Sequence, residues 1–263
     1  MIRARKEFGQ HFLEPAWVDK VIRAIDPKPD EPFLEIGPGA GALTRPLAAR
    51  AQSVTAFEID RHLAEQLDAA AVPNVTVITG DFLERANPDF LRPDHFRVAG
   101  NLPYNVASPI LFKLADLHAS GVPIVDATVM LQREVADRLV APPGGKEYGV
   151  LSILIQHVAD VSIVLKLPAG AFRPPPKVLS ALVRLRFHAA DPPVRDPKTF
   201  AGVVQAVFTR RRKTLANALL AFAPAAALPP GRALARAAID GTRRPETLSV
   251  AEFARLADAI SGA

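Results

Sequence analysis

Through the first two-thirds of the chain, short apolar runs of strand length alternate with stretches whose apolar residues recur at helical spacing. The runs Phe33–Ile36, Val54–Glu58, Val75–Thr79, Phe96–Gly100 and Ile124–Leu131 predict five strands. A rhythm of strand, helix, strand is that of βαβ units, so an α/β fold with a parallel sheet is expected. Ser108-Pro109 combines a good N-cap residue with proline at the first helical position, which predicts a helix over Ile110–Leu117. Two later runs, Val161–Leu167 and Leu179–Phe187, predict strands that close the sheet. Between them stands Phe172-Arg173-Pro174-Pro175-Pro176, where three consecutive prolines dictate a rigid extended loop.

After Asp191-Pro192-Pro193 the β-branched pattern gives way to Ala, Leu and Arg. This shift predicts a domain boundary, with an α/β domain over residues 1–190 and a small all-helical domain over 191–263. From Phe200 to Phe222 the apolar residues Phe200, Val203, Val204, Val207, Phe208, Leu215, Leu219 and Phe222 keep helical spacing, which predicts a single helix. Arg211 falls in the middle of that stripe, as if paired to a buried carboxylate, while Arg210, Arg212 and Lys213 fall outside it. Pro224–Pro230 reads as a connector, and Ser249-Val250-Ala251-Glu252 as a capping box opening a last helix.

Bulk composition changes this picture in several places. With 263 residues, 49% of them hydrophobic and 22% charged, the chain has room for one sizeable core and a smaller second one. No cysteine is present, which excludes disulfides, thiolate nucleophiles and Cys-ligated zinc. The six histidines are scattered without ligand spacing, so no metal is expected. No window reaches the roughly 18 apolar residues of a membrane span, and the N-terminus carries no apolar signal core, so a cytoplasmic location and no membrane partner are expected. The net charge of +5 is unevenly spread: residues 1–190 hold 21 basic and 21 acidic side chains, whereas 191–263 hold 11 and 6. A basic face of this kind suits a phosphate backbone, although the charge by itself is equally compatible with an ordinary soluble surface.

Candidate chemistry begins after the first strand, at Glu35-Ile36-Gly37-Pro38-Gly39-Ala40-Gly41, followed by a helical pattern from Ala42 to Ala51. Glycines let the chain turn tightly and bring backbone amides against a ligand. The dinucleotide fingerprint spaces its third glycine five residues after the first, to admit a pyrophosphate. Here Gly41 follows Gly37 by four, and an acid precedes the motif by two. That form resembles motif I of the class I methyltransferases, whose cofactor, S-adenosylmethionine, carries an amino-acid end and no phosphate. The second strand ends at Glu58, placed to accept both ribose hydroxyls of a nucleoside. The third runs into Asp81-Phe82, a carboxylate for the exocyclic amine of an adenine and an aromatic for its ring.

Asn101-Leu102-Pro103-Tyr104 follows the fourth strand. Motifs of this type mark methyltransferases that modify exocyclic amino groups of bases, and the chemistry explains the residues. The adenine N6 lone pair is delocalised into the ring and is a poor nucleophile. Two acceptors, the Asn101 side-chain carbonyl and the Leu102 backbone carbonyl, would bind the amino hydrogens, draw the nitrogen towards tetrahedral geometry and stabilise the positive charge developing on it. Pro103 stiffens the turn, and Tyr104 stacks on the extruded base.

Taken together, the chain resembles the small-subunit (16S) ribosomal RNA adenine N6-dimethyltransferase family along essentially its whole length. Besides motif I and Asn101–Tyr104, the matching segments are Ala4–Leu13, Met130–Val135, Phe172–Val178 and Phe208–Leu215. The resemblance implies a Rossmann-like class I methyltransferase domain with a helical C-terminal domain. It also implies transfer of four methyl groups to two adjacent adenines in a hairpin loop near the 3′ end of the RNA. Through the same resemblance His11 and Leu13 line the methionine end of the cofactor together with Asn101, and Phe172 closes the target adenine opposite Tyr104. The run of Arg210, Arg212 and Lys213 reads by its own pattern either as an exposed charge run or as a basic helix touching RNA. His11 stands where Asn is commoner. The implied partner is small-subunit rRNA within a ribosomal subunit precursor, bound by a monomer. Three alternatives remain at this point: the large-subunit enzymes of macrolide-resistance type, a non-catalytic assembly factor, and a DNA adenine methyltransferase, for which no large target-recognition domain is present.

Overall fold

The computed structural model describes residues 11–87, 95–222 and 228–262. Residues 4–10 of the N-terminal motif and most of the 224–230 connector therefore lie outside the described residues. The chain divides into two compact units, Met1–Ala136 with Asp160–Phe187, and Asp137–Ala159 with His188–Ala263. The second break is close to the composition shift after residue 190. The first is not marked in composition: residues 137–159 sit between two sheet strands in sequence but group with the helical unit.

In chain order the elements of the first part are β1 (Phe12–Leu13), α1 (Pro15–Ile25), β2 (Pro32–Ile36), α2 (Thr44–Ala48), β3 (Ser53–Glu58), α3 (Arg61–Ala69), β4 (Val75–Thr79), α4 (Phe82–Arg85), β5 (Phe96–Asn101), α5 (Ala107–Ala119), β6 (Ile124–Gln132) and α6 (Arg133–Leu139). After α7 (Val150–Gln156) follow β7 (Ala159–Leu167), β8 (Phe172–Arg173) and β9 (Ser180–Phe187). Seven strands form one sheet in the order β4-β3-β2-β5-β6-β9-β7. Neighbours from β4 to β6 are parallel, and β9 runs antiparallel to β6. This is the Rossmann-like methyltransferase fold. The two remaining strands, β1 and β8, pair antiparallel as a separate ribbon, with Leu13 opposite Phe172.

All seven strands expected from the sequence are present within a few residues of their expected bounds. The start of α5 differs. Its N-cap is Val106, and Ser108 and Pro109 lie inside the first turn. Proline is tolerated there because first-turn amides have no intrahelical acceptor to lose. The helix after the glycine loop is also shorter than its pattern, limited to Thr44–Ala48.

Arg97 lies on β5 in an otherwise apolar run, with its side chain only 9% exposed. Its guanidinium donates to both oxygens of Asp126 on β6, to Glu31, and to the carbonyls of Ile25 and Asp26 at the end of α1. Every donor thus finds an acceptor, which is the condition for burying the charge.

In the second unit α7 packs with α8 (Pro197–Thr209), α9 (Leu215–Leu219), α10 (Pro230–Ala237) and α11 (Val250–Ser261) around a core that includes Tyr148, Phe200, Val204, Leu219 and Phe253. The expected capping box opens α11: Ser249 Oγ accepts from Glu252 N, and Glu252 Oε2 from Ser249 N. The single helix expected over 200–222 is two helices, broken at 210–214. Phe208 and Leu215 are two helical turns apart in sequence, so the apolar stripe keeps its phase across the break. Spacing could not reveal it.

Candidate active site

The strand order reverses between β2 and β5, where parallel α/β sheets open a crevice at the carboxyl ends of their strands. A cavity lies there, lined by the ends of β2, β3 and β5, by the turns after β2, β3, β4 and β5, and by His11–Leu13. Eleven of the residues expected to act at the site share this wall: His11, Leu13, Gly37, Gly39, Glu58, Asp81, Phe82, Asn101, Leu102, Pro103 and Tyr104.

The glycine turn requires its glycines. Gly37 and Gly39 have φ of +70° and +56°, and a Cβ on Gly39 would stand 3.1 Å from the Phe12 ring. Gly41 supports the turn instead of lining the cavity, its amide donating to the Pro38 carbonyl. Glu58 is held at the end of β3 by two amides, Gly39 N on Oε2 and Asp60 N on Oε1. Burial nevertheless pushes its carboxyl above the usual range. Asp81 Oδ1 caps α4 by accepting from Leu83 N, and Phe82 meets Phe57 edge-on at 5.5 Å.

Glu35 was legible only as the acid of motif I, with no role attached. Its side chain is 1% exposed, lines the cavity, and its Oε2 has no hydrogen-bond partner among the described residues. Desolvation, assisted by the nearby Glu58 charge, pushes its pKa up to about 8. A buried carboxylate with one oxygen left without a partner at a cavity wall suits a cationic group on a ligand. Glu58, Asp81 and Phe82 lie along the same wall, so its polar groups are acidic.

Acceptor chemistry is set at the end of β5. The Asn101 amide nitrogen donates to the His11 carbonyl at 2.7 Å, and no described residue donates to its Oδ1, which can accept. Leu102 N is bound to Met130 O, while the Leu102 carbonyl accepts no hydrogen bond from the described residues. Tyr104 hydrogen-bonds through its hydroxyl to Ser180 Oγ at 2.8 Å, and the His11 ring stacks on it at 5.4 Å with 26° between planes. The His11 imidazole is therefore turned towards Tyr104 and the Pro174 carbonyl, 2.7 Å from Nδ1, and its backbone carbonyl holds Asn101.

Phe172 is not among the residues that line the cavity. It is 1% exposed, in the apolar cluster with Leu13, Ala99 and Leu182. On the β1–β8 ribbon it pairs with Leu13, which belongs to the same cluster. Ser180, which no motif singled out, takes a place beside Tyr104.

Within the second unit, Arg210, Arg212 and Lys213 are exposed on the turn between α8 and α9, not along a helix. Arg211 turns inward, donating to the Gly145 carbonyl at 3.0 Å and standing 3.9 Å from Glu246. The pair is partly exposed, with the Arg211 side chain 35% and the Glu246 side chain 16% exposed.

Known proteins extend these observations. The family described as ribosomal RNA adenine dimethylase matches residues 1–261. "Ribosomal RNA small subunit methyltransferase A" of Xanthomonas campestris is 44% identical over 97% of this chain and 95% of its own length. The protein of the same name from Acinetobacter baylyi is 41% identical over 97% and 92%. Among solved structures, a dimethyladenosine transferase from Plasmodium falciparum superposes with a TM-score of 0.78 at 26% identity, covering 94% of this chain and 96% of that one. The 23S rRNA methyltransferase ErmE superposes at 0.67 with 29% identity, covering 95% and 99%. With the glycine turn, the strand-end acids and the Asn101–Tyr104 acceptors in one cavity, the chain belongs to the ribosomal RNA adenine dimethylase family.

Proposed function

We propose that this chain transfers four methyl groups from S-adenosylmethionine to the N6 nitrogens of two adjacent adenines near the 3′ end of small-subunit ribosomal RNA. The observation that carries this reading is the orientation of Asn101: with its nitrogen tied to the His11 carbonyl, its oxygen and the Leu102 carbonyl are the two acceptors an N6 amino group requires. The names of the relatives at 41–44% identity favour the small subunit over the large.

Glu58, Asp81 and Phe82 would hold the nucleoside of the cofactor, and Glu35 its cationic end. Bound there, the cofactor supplies an activated methyl group on a sulfonium. Asn101 and Leu102 localise the N6 lone pair, and their acceptor dipoles stabilise the charge that develops on nitrogen. Pro103 holds the turn that presents them, and Tyr104 stacks on the base. No general base is needed, because the methylated nitrogen is acidic enough to lose its proton to water. Alignment of donor and acceptor is the main catalytic work of the protein. The partner is small-subunit rRNA in a subunit precursor, met by a monomer in the cytoplasm.

Incubation with labelled S-adenosylmethionine and small subunits from a strain lacking this modification is expected to place label in N6,N6-dimethyladenosine of the small-subunit RNA. Label in large-subunit RNA alone would move the substrate, and no label despite cofactor binding would sink the enzymatic reading.

Arg210, Arg212 and Lys213 form the exposed basic turn that meets the phosphate backbone in this proposal. Replacing all three by alanine is expected to weaken subunit binding and to reduce the slope of log K against log salt by about 2–3. An unchanged slope in a titration between low and moderate salt would return the turn to ordinary solvated surface.

A further inference from the structure

Tyr104 is held at two points before any base arrives. Its hydroxyl is 2.8 Å from Ser180 Oγ, and its ring lies against the His11 imidazole. Both contacts come from well-fixed positions. Ser180 is 1% exposed and opens β9 opposite Gln132 of β6. The residue before it is held by its own carbonyl, which accepts from Arg133 N at 2.9 Å. His11 Nδ1 is within 2.7 Å of the Pro174 carbonyl.

An aromatic ring at the mouth of a cavity would otherwise lose rotational freedom when a base stacks on it, which weakens binding and blurs the position of the reacting nitrogen. We infer that Ser180 is a positioning residue, which together with the His11 ring presets Tyr104 as the shelf for the target adenine. The inference rests on the proposed function. Rings 5.4 Å apart are already in contact, so the adenine takes the face of Tyr104 turned away from His11. The hydroxyl of Tyr104 therefore serves the site by anchoring the ring, and this explains a tyrosine where a phenylalanine would stack equally well. Ser180 acts only through Tyr104 and touches neither cofactor nor base.

Ser180→Ala and Tyr104→Phe remove the same hydrogen bond from its two ends. With small-subunit RNA as substrate and saturating S-adenosylmethionine, each is expected to lower kcat/KM by about tenfold, the equivalent of one hydrogen bond. The double variant should fall no further than the worse single, because the pair acts as a unit. Cofactor Kd, measured by calorimetry, should stay within about twofold. Ser180→Thr, which keeps a hydroxyl, should restore most of the loss. Losses that multiply in the double variant, a Tyr104→Phe enzyme as active as the parent, or cofactor binding that falls in step with turnover would each overturn the inference. Should Ser180→Ala fail to fold, Tyr104→Phe and Ser180→Thr still decide it. Parent protein that methylates no ribosomal RNA would overturn the proposed function itself, whereas an active parent with unaffected variants overturns only the role of Ser180.

Discussion

Asn101→Ala is expected to lower turnover by about 10²–10³-fold, the usual loss on removing one preorganised dipole from a site of developing charge. Cofactor affinity should change by no more than a few-fold, because Glu35, Glu58, Asp81 and Phe82 remain. The separation follows from the geometry. The side chain spends its nitrogen on the His11 carbonyl, so its oxygen is the part left for the incoming amino group. That oxygen interacts more strongly as nitrogen becomes positive, and a contact that strengthens in the transition state appears in kcat. Single-turnover rates alongside calorimetric binding would check the division. A collapse of cofactor affinity equal to the loss of rate would assign Asn101 chiefly to the cofactor.

Glu35 carries the second large expected effect. Its pKa rises from 4.5 towards about 8 in the fold because its carboxylate is buried without sufficient compensation. Between those values the folded state binds more protons than the unfolded chain, so stability falls as pH rises, by up to about 1.4 kcal/mol per unit. Below pH 4.5 both states are protonated and the effect vanishes. Glu35→Gln removes the ionisation and should flatten this part of the pH–stability curve, raising the melting temperature near pH 8 and leaving it little changed near pH 4. A cationic ligand end reverses the balance by favouring the carboxylate. Binding of S-adenosylmethionine near pH 7 should accordingly release close to one proton, measurable by calorimetry in buffers of different ionisation enthalpy. The glutamine variant should release none and bind more weakly. An unaltered pH profile in Glu35→Gln would show that this carboxyl is not the titrating group.

Much of the fold was legible because the parallel strands read as short apolar runs, and each of the first four runs ends in or just before a glycine, acid or asparagine that lines the cavity. The cavity wall was legible for the same reason: most of its residues are consecutive with strand ends. Phe172 and Ser180 were not, since both depend on which residues lie opposite each other on β1, β6, β8 and β9, and register across distant strands leaves no local trace. Arg97 was hidden inside a strand pattern, its partners on α1, the loop before β2, and β6 having no fixed offset from it. The break before α9 was concealed by a seven-residue interval that is nearly two helical turns. His11 was found by resemblance, but only the structure separates the work of its carbonyl from that of its ring.

The β1–β8 ribbon also sets an order in time. His11, Phe12 and Leu13 supply one wall of the cavity, and the pairing partners of this strand are Phe172 and Arg173. The following helix is tethered the same way, Glu14 N donating to the Ala171 carbonyl. A nascent chain grows at about 5–20 residues per second, so the N-terminal wall waits on the order of ten seconds for its partner to be synthesised. Until then Asn101 lacks a fixed His11 carbonyl to orient its amide, even with the glycine turn and all the parallel strands already made. A chain that ends before Phe172 has no strand for Phe12 and Leu13 to pair with, so the wall that orients the Asn101 amide is unset until β8 has been made.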